Sequence, residues 1–262
     1  MGTALIPASL GPLESDATVI AYGEEIDDSA LGVAEFFVPA YMGHASTLQQ
    51  MADMPHLQVC QLLTAGYDNA IPYLRAGVVL CNAAGVHDAS TAELAVGLVL
   101  SSLRGIDNAA RDMAAGRWQL RNRPALADKH VVIVGAGGVG RAIHRRLEPF
   151  EVTISVVGRT ARPGVLATSD LPMLLPEADV VILALPLDPS TEHMVDASFL
   201  ASMRDGALLV NVARGGIVDT DALVGELSAG RIRAALDVTD PEPLPANHEL
   251  WRLPGVLITP HV

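Results

Sequence analysis

HVVIVGAGGVGRAIHRRL, residues 130–147, decides the fold. The β-branched run at 131–134 has the apolar continuity of a strand buried on both faces, and it ends on glycine. Gly135, Gly137, Gly138, Val139 and Gly140 then lead into a segment with helical periodicity. A bare G-x-G-x-x-G also serves as an ordinary structural turn; between a strand and a helix, at the head of a β-α-β unit, it reads as a dinucleotide-binding turn. Each glycine has a physical reason. Gly135 permits the tight turn, Gly137 lets a pyrophosphate approach the backbone, and Gly140 lets helix and strand pack closely. The N–H groups near Gly138 and Val139 face an anion at the positive end of the helix.

Downstream, VTISVV (152–157), DVVILAL (179–185), ALLVNVA (207–213), IRAALDV (232–238) and VLIT (256–259) alternate with helix-compatible segments such as 220–228. That is the rhythm of a parallel sheet with crossover helices. Upstream, TVIAY (18–22), EFFVPAY (35–41), LQVCQLL (57–63) and AGVVLCNA (76–83) repeat it on a smaller scale. Between the halves, residues 90–118 lack strand signals and predict one long helix leaving the first domain, followed by the loop RNRPALADK. The expected class is α/β, with two doubly wound parallel-sheet domains, residues 1–89 and 90–262.

Composition narrows the function. Half of the 262 residues are apolar, enough for a sizeable core, and the formal charge of −13 opposes nucleic acid and anionic lipid as partners. No apolar stretch is long enough to span a bilayer, and the N-terminus has no basic residue ahead of its apolar part. Cys60 and Cys81 both lie in strand-like runs, so free thiols in a reducing, cytoplasmic compartment are expected. Lys129 is the only lysine; at a strand start it reads as solvated, and Schiff-base chemistry has little to draw on.

A carboxylate at the end of the second strand of such a unit holds the ribose hydroxyls of NAD. Here the strand runs instead into Gly158-Arg159-Thr160-Ala161-Arg162. Arginine can clasp a 2′-phosphate with charge-assisted, often bidentate hydrogen bonds, which points to NADP(H) with NAD as a possible second cofactor; the alternative is that both arginines are solvated surface charges.

Ligands of doubly wound sheets sit outside the carboxyl ends of the strands, so polar residues just past those ends can converge. Arg214 follows ALLVNVA, Glu242 follows IRAALDV, and His261 follows VLIT. Reduction of a carbonyl needs a hydride at carbon and a proton at oxygen, and histidine is the side chain suited to deliver that proton near neutrality. A carboxylate on the other ring nitrogen would orient the imidazole, a role open to Glu242. Arg214 suits a substrate carboxylate and a polarised ketone.

Together, VGAGGVGRAI (134–143), LPLDPSTEHMV (185–195), NVARGGIVD (211–219), ALDVTDPEPLP (235–245) and ITPHV (258–262) resemble the D-isomer-specific 2-hydroxyacid dehydrogenases. LLTAGYDN (62–69) and VVLCNAAGVHDASTAELAVGLVL (78–100) resemble that family's substrate loop and the start of its interdomain helix. The resemblance implies a flavodoxin-like substrate domain and a Rossmann-type NAD(P)-binding domain. It assigns Arg214 to substrate, Glu242 as partner of the acid/base, and His261 as that acid/base. Asp237 would bind the nicotinamide carboxamide, Thr91 would contact the nicotinamide, and Pro186, Val212 and Ala213 would border the cofactor. The backbone of Ala65, Gly66 and Tyr67 would receive the substrate carboxylate. GRTAR resembles the NADP(H)-using glyoxylate and hydroxypyruvate reductases, so the implied substrate is a small 2-oxoacid. A homodimer through the long helix is implied too, and so is further chain beyond Val262 that would complete the cofactor domain.

His44, His56, His87, His130, His193 and His248 show no metal-ligand spacing, so no metal is expected. Trp118 and Trp251 read as domain or subunit surface residues. A redox-sensing binding protein on the same fold is the rival reading. The complete set of Arg214, Glu242 and His261 favours an enzyme.

Overall fold

The computed structural model describes residues 2–43 and 45–262, so His44 lies outside the described residues. Two compact units result, Met1–His87 and Asp88–Val262.

The first unit contains β1 (Thr3–Pro7), β2 (Thr18–Tyr22), α1 (Asp28–Leu31), β3 (Phe36–Phe37), α2 (Ala45–Gln49), β4 (Val59–Gln61) and β5 (Val79–Cys81). All strand pairs are parallel, in the order β2-β1-β3-β4-β5, which is the flavodoxin-like order. The sequence reading began its alternation at β2. The structure adds β1, whose five-residue TALIP run is short and is held extended by pairing with both β2 and β3. Leu5, Phe37, Met51, Met54 and Cys60 are buried at its core. Both cysteines are free thiols, and burial pushes Cys60 up to about 11.

The second unit opens with α3 (Asp88–Arg104) and α4 (Ile106–Ala114). These replace the single long helix expected over 90–118. Gly105 adopts a left-handed conformation, φ 65°, and the axes bend by 68° across it. A residue without Cβ takes that conformation at no steric cost, and the helical apolar period on either side hides the break. Among the described residues no single helix is long and apolar enough to cross a membrane.

There follow β6 (His130–Val134), α5 (Gly138–Leu147), β7 (Thr153–Gly158), β8 (Leu166–Ala167), α6 (Leu171–Leu174), β9 (Val180–Leu183), α7 (Ala197–Ser202), β10 (Leu208–Asn211), α8 (Thr220–Ser228), β11 (Arg233–Leu236) and β12 (Val256–Ile258). The seven parallel strands run β12-β11-β10-β9-β6-β7-β8, a Rossmann order extended by one strand. Successive residues of one strand point to opposite faces, and the core shows it. Val131 and Ile133 pack with α3 and α5, through Ala95, Val99, Ile143 and Leu147. Val132 and Val134 pack with α7 and α8, through Leu200, Leu223 and Leu227. β8, two residues long, carries no periodic signal and went unread in the sequence. Lys129 is not simply solvated: its Nζ lies 3.2 Å from Asp179 Oδ1, tying the start of β6 to the start of β9.

An aspartate before a helix shapes this unit locally at two places. Asp196 accepts from the Phe199 N–H at 2.8 Å to start α7, and Asp219 accepts from the Ala222 N–H at 3.0 Å to start α8.

Candidate active site

The glycine turn has the shape a pyrophosphate needs. Gly135 has φ 128°, and a Cβ there would lie 2.0 Å from the Ala184 carbonyl oxygen. A Cβ on Gly140 would lie 1.8 Å from the Gly135 carbonyl oxygen, and one on Gly138 would meet the Asp88 carboxylate at 2.0 Å. At Gly137, by contrast, a Cβ would meet nothing within 4 Å. Gly135 and Gly140 are therefore demanded by packing against backbone, Gly138 faces only the end of a side chain that can turn aside, and Gly137 leaves the open approach that a nucleotide's phosphates require. Gly137 is also the N-cap of α5, whose first turn, Gly138 to Gly140, has backbone N–H groups with no earlier helical carbonyl to bond.

The residues after β7 lie against this turn. A Cβ on Gly158 would meet Arg162 Nη1 at 3.3 Å and the Ala136 Cβ at 3.4 Å. Arg162 donates to the Ala136 carbonyl at 3.1 Å, and Arg141 of α5 donates to the same oxygen at 3.3 Å. Arg159 takes a different partner, donating from Nη2 to Asp188 Oδ2 at 2.5 Å. Thr160 is exposed beside them. Pro186, in the loop after β9, accepts from Thr191 Oγ1 at 2.8 Å.

At the ends of β10, β11 and β12 the chain is laced together by backbone and two polar side chains that composition alone does not single out. Asn211, 1% exposed, donates from Nδ2 to the Arg214 carbonyl at 2.9 Å and accepts at Oδ1 from the Ala213 N–H at 3.0 Å, which folds the turn carrying Arg214. Val212 and Ala213 are buried beneath it, and Arg214 Nη1 donates to the Ala213 carbonyl at 2.7 Å. Gly215 follows because the Thr239 backbone crosses there: a Cβ would lie 2.0 Å from its carbonyl oxygen.

Asp237, 5% exposed, is the centre of the second lacing. Its N–H donates to the Asn211 carbonyl at 2.9 Å and its carbonyl accepts from the His261 N–H at 2.9 Å. Its Oδ1 accepts from Thr259 Oγ1 at 2.6 Å and from the Val262 N–H at 3.2 Å. His261 is thereby held in a left-handed backbone conformation, φ 56°, uncommon for a side chain of this size. Its Nδ1 meets Glu242 Oε1 at 2.5 Å, with the His261 side chain partly buried and that of Glu242 exposed. The structure thus brings Glu242 and His261 into contact and places Arg214 on the adjacent strand end of the same sheet edge. With Nδ1 engaged, Nε2 is the ring nitrogen left for a second partner.

In the first unit the loop after β4 is braced separately. Thr64 Oγ1 donates to the Gly66 carbonyl at 2.8 Å, and Asn82 Nδ2 donates to the Ala65 carbonyl at 2.7 Å, while the Tyr67 carbonyl accepts from the Ala70 N–H at 3.0 Å. Thr91 lies in the first turn of α3. His87 contacts the Leu63 carbonyl at 3.0 Å, His130 the Ser155 hydroxyl at 2.9 Å, and His248 accepts from the Leu250 N–H at 3.3 Å. Among the described residues no group of three His, Cys, Asp or Glu side chains is placed to hold a metal ion.

With this geometry in hand, similarity to known proteins becomes specific. Residues 96–262 match the family model of the D-isomer specific 2-hydroxyacid dehydrogenase NAD binding domain. A protein of Corynebacterium melassecola, described as an uncharacterized protein in the proB 3′ region, is 39% identical over 81% of this chain and 74% of its own length. A glyoxylate reductase of Thermofilum pendens is 35% identical over 79% of this chain and 66% of its own length, so the chain spans about two thirds of that relative. Among solved structures, a D-isomer specific 2-hydroxyacid dehydrogenase from Xanthobacter autotrophicus Py2, in complex with NADPH and MES, superposes with a TM-score of 0.80 at 26% identity, covering 100% of this chain and 88% of that one. A parallel seven-stranded sheet, a glycine turn open only at Gly137, a histidine–glutamate contact at the strand ends and these likenesses agree, and the chain belongs to the D-isomer specific 2-hydroxyacid dehydrogenase family.

Proposed function

We propose that the protein is an NADP(H)-dependent reductase of small 2-oxoacids of the glyoxylate or hydroxypyruvate kind. The observation that carries the reading is the 2.5 Å contact between His261 Nδ1 and Glu242 Oε1 on a histidine whose backbone is pinned by Asp237. A nicotinamide nucleotide held by the glycine turn would supply a hydride for the carbonyl carbon. His261 delivers a proton from Nε2 to the carbonyl oxygen, so that hydride and proton together convert the carbonyl to an alcohol. Glu242 accepts from Nδ1–H and orients the ring, so that the imidazolium gives up its Nε2 proton and is left as the Nδ1–H tautomer. Arg214 binds the substrate carboxylate and polarises the ketone with charge-assisted hydrogen bonds.

The cradle at Gly135, Gly137, Gly138, Val139 and Gly140 fits a pyrophosphate, Arg159, Thr160 and Arg162 serve the 2′-phosphate, and Pro186, Val212, Ala213, Asp237 and Thr91 border the nicotinamide end. In the first unit, Ala65, Gly66 and Tyr67 offer backbone to a carboxylate. The NADPH complex of the Xanthobacter relative and the name of the Thermofilum relative support the cofactor and the substrate class. The solvent-facing Met113, Trp118 and Leu120, each more than three-quarters exposed, support a homodimer.

Loss of nucleotide absorbance, on mixing the protein with NADPH or NADH and glyoxylate, hydroxypyruvate or phenylpyruvate, tests the reading. Faster turnover with NADPH and the two small acids is expected, and His261→Ala should lower kcat by about 10²–10⁴ while nucleotide still binds. Retained nucleotide binding with no turnover on any acid would move the assignment to a nucleotide-sensing binding protein.

A further inference from the structure

The strand order β9-β6-β7 places the glycine turn, at the end of β6, between the segments that leave β9 and β7. Those two segments are joined by one ion pair, Arg159 Nη2 to Asp188 Oδ2 at 2.5 Å. Asp188 is not a loose surface carboxylate. Its Oδ1 accepts from the Ser190 N–H at 2.8 Å and from Ser190 Oγ at 2.5 Å. Its own N–H donates to Thr191 Oγ1 at 2.8 Å, and that hydroxyl closes the loop onto the Pro186 carbonyl. Thr191 is 8% exposed, so the loop is anchored in the unit and aims Oδ2 outward at the guanidinium. The two Ser190 hydrogen bonds, followed by the Arg159 charge, hold the Asp188 carboxyl below its usual range, so it is ionised at neutral pH. Arg162 differs, because its partner is the neutral Ala136 carbonyl.

We propose that Asp188 sets the strength of the preference for NADPH over NADH by competing with the 2′-phosphate for Arg159. The inference rests on Arg159 being the phosphate ligand. A 2′-phosphate brings up to two charges and three acceptor oxygens to the guanidinium and displaces the single carboxylate oxygen. A 2′-hydroxyl brings no charge, and Arg159 then stays on Asp188. The carboxylate therefore lowers the affinity for NADPH and leaves that for NADH nearly untouched.

Dissociation constants for NADPH alone and NADH alone, measured by fluorescence titration at low and high salt, test this on the wild type, Asp188→Asn, Asp188→Ser and Arg159→Ala. Asn keeps an acceptor for Ser190 at the same shape, and Ser checks that any effect follows the charge. Removing the carboxylate should tighten NADPH binding about two- to fivefold at low salt, the range expected for an exposed ion pair, with the gain shrinking at high salt. NADH binding should change less, so the ratio of the two affinities rises. Weaker or unchanged NADPH binding would overturn the proposal, since Asp188 would then position Arg159 or do nothing. Equal tightening of both nucleotides would overturn it too, because the pair would be a general barrier over the turn. If Arg159→Ala leaves the NADPH to NADH ratio as it is, the phosphate assignment itself fails, which is a separate result from a silent Asp188.

Discussion

Thr259→Val removes one hydroxyl at nearly constant shape from the lacing that holds His261. In the native protein Thr259 Oγ1 donates to Asp237 Oδ1 at 2.6 Å, and Asp237 is 5% exposed. The variant leaves that nearly buried carboxylate oxygen with the Val262 N–H at 3.2 Å, the longer of its two donors. A hydrogen bond to a charged group contributes about 1.5–3 kcal/mol, and little water reaches the oxygen to replace it. For a unit the size of Asp88–Val262 that corresponds to a fall of about 3–12 °C in its thermal midpoint. Because the backbone carbonyl of the same aspartate accepts from the His261 N–H, the strand end that carries the acid/base should also loosen, lowering kcat. Calorimetry resolves the midpoint, and turnover with NADPH and glyoxylate reads the second effect. A midpoint within about 1 °C of the wild type would refute the reasoning, since it would mean that water satisfies Asp237 as well as the threonine does.

Two glycines of the phosphate turn should behave oppositely. Gly140→Ala forces a Cβ against the Gly135 carbonyl and should destabilise the unit by about 1–3 kcal/mol or more in denaturant titration, whereas Gly137→Ala meets open space and should keep its stability but weaken NADPH binding about tenfold; equal stability losses at both would contradict the packing argument. Sedimentation should find twice the chain mass for the wild type and a shift toward the single chain for Trp118→Glu, whose indole is 98% exposed in one copy; a monomeric wild type would remove the dimer.

Strands with buried, β-branched runs and ordinary length were legible one by one: HVVIV, VVIL and LLVN each became a strand of the second sheet, because a run buried on both faces leaves no ambiguity of phase. The glycine turn was legible because its spacing is a consequence of backbone geometry alone. β1 and the two-residue β8 were not, since each owes its extended state to a neighbour: β1 pairs with both β2 and β3, and β8 only with the end of β7. The break at Gly105 was hidden for the converse reason, as a single left-handed residue leaves the helical pattern on either side intact.

The same division holds at the site. Residue types and their places after successive strands are properties of the sequence, and they singled out Arg214, Glu242 and His261 as groups leaving one sheet edge. Which of them touch is a property of the folded chain, because 19 positions separate Glu242 from His261 and only the parallel register of β11 and β12 brings their loops together. Asn211, Thr259 and Asp188 carried no signal of their own: a buried amide, a hydroxyl and a loop carboxylate acquire meaning only from partners. Local sequence determined the strands and the glycine turn, where the information lies within a few residues. Tertiary structure decided the hydrogen-bond partners, because a buried polar group must be satisfied by whatever the fold brings to it.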